Sequence, residues 1–138
     1  MFIEELTNMD GVSGNETAVR EFIKEQITPY ADEIIVDSMG NLIALRRGNP
    51  QKKIMLAAHM DEVGFIISGV TEKGYLRFKT VGGIDTRVII SKRVRIGENK
   101  IKGVIGMKAI HLQKPSERDS VPDVKDLFID IGAKNKEE

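Results

Sequence analysis

The sequence predicts an α/β fold over its first part and a β-rich fold over the remainder. Before residue 30, apolar residues recur at the spacing of amphipathic helices, and after residue 63 short strands alternate with glycine turns. The composition is 41% apolar and 30% charged, as in a globular protein. We therefore expect two domains in succession, residues 1–63 and residues 64–138.

Two helices are predicted at the start of the chain. Residues 1–9 place their apolar side chains on one helical face. A second helix is expected from Glu16 to Ile27, with either Ser13 or Asn15 as its cap. The N-terminal segment is acidic and has no basic leader before an apolar run, so we expect no secretory signal, and the absence of cysteine is consistent with a cytoplasmic protein.

Three strands are predicted after the second helix. Residues 33–37 and 41–47 form a hairpin whose turn is provided by Gly40. Residues 53–59, KIMLAAH, form the most apolar strand of this part. Because uninterrupted apolar strands usually lie inside a sheet that is covered on both faces, we expect this strand to be buried beneath the helices.

The second part of the sequence consists of short strands. Dense strands with glycine turns and no helical pattern between them predict a small barrel or sandwich. Residues 111–123 carry two prolines and predict an exposed loop, and residues 133–138 resemble the opening of a helix capped by Asn135. The predicted strands are 64–70, 75–81, 88–96, 102–108 and 124–132.

Charge and composition exclude several functions. Basic and acidic residues both number 21, so no net positive field collects nucleic acid, and no apolar run is long enough for a membrane helix. Without cysteine, any metal must be held by His, Asp and Glu. One basic cluster alternates with apolar residues, as on the solvated face of paired strands, and lacks aromatic neighbours for stacking bases. It consists of Lys92, Arg93, Arg95, Lys100 and Lys102.

The candidate site is the pair His59 and Asp61 at the end of the apolar strand. Residues i and i+2 of a strand point to the same side, so both side chains can face one cleft. An imidazole binds divalent ions and a carboxylate can fix its tautomer, which makes His59 a candidate metal ligand and Asp61 its partner. The alternative is a surface histidine with an ordinary ion-pairing neighbour. Glu62 joins them only if the chain turns.

The other ligands of a metal site are not evident from the residues. A zinc site needs at least three protein ligands, and the other histidine, His111, lies in the β-rich part. No H-E-x-x-H motif, G-x-S-x-G elbow, phosphate-binding glycine loop or cysteine nucleophile occurs. Glu137 and Glu138 lie in a charged tail, which argues against a catalytic pair.

Five stretches of the chain, taken together, resemble the tetrahedral aminopeptidase and glutamyl-aminopeptidase family of dinuclear metallopeptidases. Together the stretches cover nearly the whole chain, and they occur in the same order as in the family. Any one stretch alone would be weak evidence of membership. The stretches are GVSGNE, AAHMDEVGFIISGV, GYLRFKTVGGIDTRVI, KGVIGMKAIHLQ and DLFIDIGAKNKEE.

The resemblance implies a partial α/β/α zinc-peptidase-like catalytic domain over residues 1–63. It implies an inserted β-barrel-like dimerisation domain over residues 64–138, whose end returns toward the catalytic domain. It also implies two divalent ions, zinc or cobalt, with His59 as a metal ligand and Asp61 as the catalytic carboxylate that orients it. The implied activity is removal of N-terminal residues from peptides. The implied partners are copies of the same chain, in dimers that build shells up to a dodecamer.

The chain departs from the family in length and in its ligand set. The other ligands and the general-base glutamate have no counterpart, so the chain resembles an N-terminal piece that we expect to be inactive alone and to bind zinc weakly. His111 is expected to be structural, and Asp85 and Arg87 to form an ion pair after a glycine turn. Two alternatives stay open: an endoglucanase, as some relatives are labelled, or a non-catalytic assembly module. The lack of tryptophan and the 5% aromatic content argue against a sugar-binding cleft.

Overall fold

The computed structural model of the chain describes residues 2–138, apart from the side chain of Glu117. Backbone contacts divide the chain into two compact units, the first ending at Glu62 and the second comprising Val63–Glu138. Over the described residues, no helix has the length and apolar character that crossing a bilayer requires.

The first unit begins with two helices. Helix α1 spans Phe2–Asn8, and helix α2 spans Thr17–Ile27 and continues into a 3₁₀ turn at Thr28–Tyr30. The rings of Phe2 and Phe22 stack with their centroids 5.5 Å apart, which joins the two helices. Both helices predicted from apolar spacing are confirmed.

The predicted cap of α2 is wrong. Glu16 holds the N-cap position in place of Ser13 or Asn15, and its side chain makes no capping hydrogen bond. The Glu16 carboxylate accepts from the Gly14 N–H at 2.6 Å. The Ser13 hydroxyl donates to the Asp61 carboxylate instead. Gly14 has a φ of +88°, a conformation that glycine adopts readily, and this turn separates Ser13 from the helix.

A β-hairpin follows the helices, as predicted. Strand β1, Glu33–Val36, pairs antiparallel with strand β2, Leu42–Leu45. The hydrogen bonds that Asn41 donates from its side chain and backbone lower the pKa of Asp37. Gly40, with a φ of +85°, completes the turn, so both the hairpin and its glycine are confirmed.

The predicted buried strand at residues 53–59 is wrong. This segment is irregular, and Ile54, Met55 and Leu56 are 88%, 87% and 94% exposed. A strand needs neighbours that pair with its backbone N–H and C=O groups. Within the described part of the first unit, the only sheet is the β1–β2 hairpin, and it does not extend to this segment. The sequence favours a strand for which the described residues provide no partner.

The second unit is a five-stranded antiparallel sheet in the order β3-β4-β7-β6-β5. Its core combines side chains from β4, β6 and β7 with Ile89, and Leu127 is fully buried. The predicted barrel or sandwich is thus a single sheet, with β3 and β5 at its edges in the described residues. The strands are β3 (Gly64–Val70), β4 (Leu76–Val81), β5 (Arg93–Ile96), β6 (Ile101–Met107) and β7 (Leu127–Asp130).

The expectation of a strand at 88–96 with no helix nearby is wrong in its first half. Thr86–Ile89 forms a one-turn helix, α3, and only Arg93–Ile96 is a strand. The reason is the cap, because the Asp85 carboxylate accepts from the backbone N–H of Arg87 and starts a helical turn there. The turn places Ile89 in the core of the sheet.

Two surface predictions for the second unit are confirmed. The basic cluster at residues 92–102 is exposed, and the β5–β6 register places Arg95 opposite Lys102 on paired strands. The loop at 111–123 is largely exposed, although it contains a short helix, α4, at Pro115–Arg118.

At the end of the chain, the Asn135 side chain accepts backbone N–H groups in the manner of a cap, but residues 133–138 form turns rather than a helix.

Candidate metal centre

The candidate site lies where two distant parts of the first unit meet. Val12 and Glu62 form a parallel β-bridge. The Glu62 N–H donates to the Gly11 carbonyl at 2.8 Å, and the Ser13 N–H donates to the Glu62 carbonyl at 3.3 Å. The Glu62 carboxylate accepts from the Gly11 N–H at 3.0 Å. The two backbone bonds of the bridge and the carboxylate contact together hold the loop before α2 against the chain around Glu62.

The loop can approach so closely because residue 11 has no side chain. A Cβ atom on Gly11 would lie 2.8 Å from Val19 Cγ2 and 3.4 Å from the Met60 carbonyl oxygen. Val19 is the buried residue of α2, at 6% exposure. The contact is therefore specified by a glycine and a buried valine near the start of the chain and by a glutamate that is distant from both in the sequence.

His59 and Asp61 are in direct contact. His59 Nδ1 lies 3.0 Å from Asp61 Oδ1 and 3.1 Å from the Asp61 carbonyl oxygen. Both oxygens can only accept, so Nδ1 carries the ring proton and donates it. In the neutral ring, Nε2 then keeps its lone pair, and the His59 side chain is 85% exposed. This is the hydrogen-bonding pattern that orients a metal-binding histidine.

Asp61 has a second partner, which no sequence pattern predicts. The Ser13 hydroxyl donates to Asp61 Oδ2 at 2.5 Å, across 48 positions of the chain. The Ser13 hydroxyl, and to a lesser extent His59, hold the pKa of Asp61 below its usual range despite partial burial. A contact between such distant residues leaves no periodic signal in the sequence, and only the GVSG turn near the start pointed to this loop.

Glu62 does not join His59 and Asp61. The sequence left open whether its side chain would share their cleft, and the structure uses its carboxylate to accept from the Gly11 N–H. Glu62 therefore braces the loop from which the Ser13 hydroxyl reaches Asp61.

The donors present fit one corner of a metal centre. Among the described side chains, no group of three or more His, Cys, Asp or Glu could hold a metal ion. One imidazole with an orienting carboxylate offers a single ligand, whereas a zinc site takes at least three from the protein. His111 is exposed in a 3₁₀ turn of the second unit at Ile110–Leu112.

Asp85 and Arg87 form the ion pair that the sequence predicts. Arg87 Nε lies 3.0 Å from each carboxylate oxygen of Asp85, and Arg87 Nη2 lies 2.5 Å from Oδ2. The hydrogen bonds and charge of Arg87 lower the pKa of Asp85 to about 2. Because the same carboxylate caps α3, the pair stabilises a turn.

A cleft of about 420 Å³ lies on the second unit. Three of its charged side chains already have partners, because Arg77 donates to the Lys125 carbonyl at 2.9 Å and the Lys125 ammonium lies 3.2 Å from the Asp123 carboxylate. The sequence did not predict this cleft, and neither His59 nor Asp61 lines it.

Comparison with known proteins places the chain in a family. The family model of the M42 glutamyl aminopeptidases matches residues 40–138. A candidate aminopeptidase from Acetivibrio thermocellus is 42% identical over 136 residues, which cover 99% of this chain and 39% of that protein. The lysyl aminopeptidase of Pyrococcus furiosus is 31% identical over 140 residues, 99% of this chain and 40% of that protein.

Solved structures of similar sequence superpose on nearly the whole of this chain. A TET aminopeptidase from a marine-sediment archaeon of the Thaumarchaeota superposes with a TM-score of 0.91 at 39% identity, over 99% of this chain and 39% of that one. A Thermotoga maritima protein described as an endoglucanase superposes with a TM-score of 0.81 at 40% identity, over 98% and 39%. The TET1 peptidase of Pyrococcus horikoshii, described as assembling into a tetrahedron or an octahedral shell, gives 0.81 at 40% identity, over 99% and 41%.

The similarity extends over the whole of this chain but only part of its relatives. The chain spans about 39% of the length of the Acetivibrio protein and of the Thaumarchaeota structure. Its mixed fold of helices and sheet is that of the corresponding part of a TET aminopeptidase. With the family model matching residues 40–138, the chain belongs to the M42 glutamyl aminopeptidase family.

Proposed function

We propose that this chain provides the His59–Asp61 corner of the active site of a metal-dependent aminopeptidase, which removes N-terminal residues from peptides. The observation that carries the proposal is the contact between His59 Nδ1 and Asp61 Oδ1 at 3.0 Å, on an imidazole that is 85% exposed. Membership of the M42 family supports the reaction class.

The chemistry of this corner follows from its hydrogen bonds. Asp61 accepts the Nδ1 proton of His59, and the neutral ring presents Nε2 as the electron-pair donor. Asp61 is held by Ser13 and has a lowered pKa, so it stays ionised at neutral pH and keeps the imidazole in one tautomer. His59 is thus the ligand and Asp61 the residue that orients it.

Two divalent ions, zinc or cobalt, would supply Lewis-acid activation of the scissile carbonyl and of the hydrolytic water. His59 would hold one of them through Nε2. Imidazole and carboxylate ligands accept zinc, cobalt and manganese alike, so these residues favour no single metal. A chain that offers one ligand is expected to bind zinc weakly and to be inactive by itself.

We assign a different domain of the peptidase to each half of the chain. Residues 1–63 would belong to the catalytic α/β domain, and residues 64–138 would form the inserted dimerisation domain. The single sheet with two edge strands in the described residues supports the second assignment, because an edge strand is a ready surface for pairing. We propose homo-oligomeric assembly and a cytoplasmic location, the former supported by the assemblies described for TET1 of Pyrococcus horikoshii.

Glycoside hydrolysis is the second candidate, because the Thermotoga maritima neighbour is described as an endoglucanase. The chain argues against it, since it has no tryptophan and only 5% aromatic residues to line a sugar-binding cleft. A non-catalytic assembly module is the third reading. A stop codon directly after Glu138 would favour that module, whereas an open reading frame that continues with further Asp, Glu and His ligands would favour the peptidase.

The test is an assay of the complete protein translated from the gene, on aminoacyl-p-nitroanilides and on soluble cellulose. We expect hydrolysis of the anilides alone. His59→Gln should lower kcat/KM at least about 100-fold, because it removes a metal ligand. His111→Gln is the matched control, on an exposed turn of the second unit, and should leave the rate unchanged. Hydrolysis of cellulose, or full activity in His59→Gln, would contradict the proposal.

A further inference from the structure

Ser13 has a partner that its position in the sequence does not explain. It precedes α2 by a few residues and would ordinarily cap that helix, yet Glu16 holds the N-cap position. The Ser13 hydroxyl donates instead to Asp61 Oδ2 at 2.5 Å. The hydroxyl is therefore committed to the carboxylate of the candidate site rather than to the helix.

The backbone around Ser13 is built to hold this contact. The Ser13 N–H donates to the Glu62 carbonyl at 3.3 Å, and the Asn15 N–H donates to the Val12 carbonyl at 2.7 Å, which closes a four-residue turn with the serine at its second position. Gly14, with a φ of +88°, completes that turn. These backbone bonds hold Ser13 against Glu62, the residue that follows Asp61, and so keep the hydroxyl within reach of the Asp61 carboxylate.

The two oxygens of Asp61 have different partners. Oδ2 accepts from the Ser13 hydroxyl, and Oδ1 accepts from His59 Nδ1 at 3.0 Å. Rotation about the terminal torsion of an aspartate is broad and has no staggered wells, so a carboxylate with one partner can swing. A second donor on the opposite oxygen fixes the carboxylate plane, and with it the direction in which Oδ1 meets the imidazole.

We propose that Ser13 is a positioning residue, which acts through Asp61 to hold His59 as the Nδ1–H tautomer with Nε2 free for a ligand. The metal-binding purpose of that tautomer rests on the proposed function, whereas the hydrogen-bonded chain Ser13–Asp61–His59 does not. Removing the hydroxyl leaves the ring two acceptors on Asp61, the carbonyl and a carboxylate that is now free to rotate. The preference for one tautomer should then weaken.

The experiment measures the chemical shifts of the His59 ring nitrogens in this chain by long-range ¹H–¹⁵N correlation, at the same mildly alkaline pH of about 8 for every variant. The wild type should show the signature of a single Nδ1–H tautomer. Ser13→Ala should lose that signature, with both ring-nitrogen shifts moving toward those of an exchanging mixture. Ser13→Thr, which keeps a hydroxyl, should retain the signature of the single Nδ1–H tautomer. Ser38→Ala, in the exposed turn of the hairpin, is the matched control and should match the wild type.

An unchanged tautomer in Ser13→Ala, or an equal loss in Ser38→Ala, would overturn the proposal. The amide signal of Glu62 reports whether the loop is still seated in each variant. Should Ser13→Ala release the loop, Ser13→Thr decides the matter, because retention of the Nδ1–H form supports the role and its loss overturns it. No metal or substrate enters the measurement, so its outcome is separate from that of the peptidase assay.

Discussion

Gly11→Ala tests the packing that builds the candidate site. The ideal Cβ of residue 11 would lie 2.8 Å from Val19 Cγ2, whereas carbon atoms in contact prefer separations of about 3.5–4.0 Å. Either the loop or the valine must move by about 0.7–1.2 Å. Val19 is 6% exposed and lies in a helix, where a valine has one strongly preferred rotamer, so it cannot turn aside.

The expected cost follows from this clash. Inserting a methyl group into a packed contact destabilises by about 1–3 kcal/mol. Gly48→Ala is the matched control, because its Cβ meets no atom within 4 Å. Both substitutions restrict the unfolded chain to the same extent, so the difference between the two variants isolates the overpacking. With a urea slope of about 1 kcal/mol per molar for so small a unit, that difference is about 1–3 M in the midpoint.

The assay is urea unfolding followed through individual amide signals, with Val19 reporting on the first unit and Ile105 on the second. We expect Gly11→Ala to lower the midpoint at Val19 and leave that at Ile105 unchanged. Unfolding of Gly11→Ala and Gly48→Ala at the same urea concentration would show that the contact with Val19 tolerates the added methyl group.

Two further predictions concern the second unit. Leu127→Ala should destabilise this unit by about 2–5 kcal/mol, because Leu127 is fully buried, whereas Leu112→Ala, at a residue that is 62% exposed, should cost little. Hydrogen exchange of the sheet amides measures both effects. Equal protection of these amides in the two variants would contradict the assignment of Leu127 to the core. The folded-state pKa of Asp85 is lowered from 3.8 to about 2 by Arg87, so the pair contributes stability that is present above pH 3.8 and is lost as the pH falls toward 2. A carboxyl ¹³C titration should give a midpoint of about 2 that Arg87→Gln raises toward 3.8, and a midpoint unmoved by that substitution would show that Arg87 is not the cause.

Local patterns predicted those elements whose stabilising partners lie nearby in the sequence. Helix α2 follows from apolar residues at helical spacing, and the β1–β2 hairpin follows from a glycine turn between two apolar runs. The strands at 64–70 and 102–108 follow in the same way and are confirmed. Each of these elements forms hydrogen bonds within itself or with the strand next to it in the chain, so the local sequence is sufficient to indicate it.

The failures occur where a hydrogen-bonding partner is missing from the described residues, or where a helix cap competes with the β-propensity of the residues that follow it. The segment 53–59 has the composition of a buried strand, but an apolar run becomes a strand only when another strand pairs with it. At residues 86–89 the Asp85 cap outweighs the β-propensity of Val88 and Ile89. In both places the residues favour a strand, and the hydrogen bonds available to the backbone decide against it.

At the candidate site, the amino-acid order alone shows that His59 and Asp61 lie two positions apart, that no cysteine can bind a metal, and that five stretches resemble one peptidase family. Which side chain holds Asp61, and what Glu62 contacts, becomes visible in the folded chain. The Ser13–Asp61 bond and the Glu62–Gly11 bond join residues separated by 48 and 51 positions. Such pairs are selected by how the loop packs on Val19, and packing between distant segments leaves no spacing rule in a single sequence.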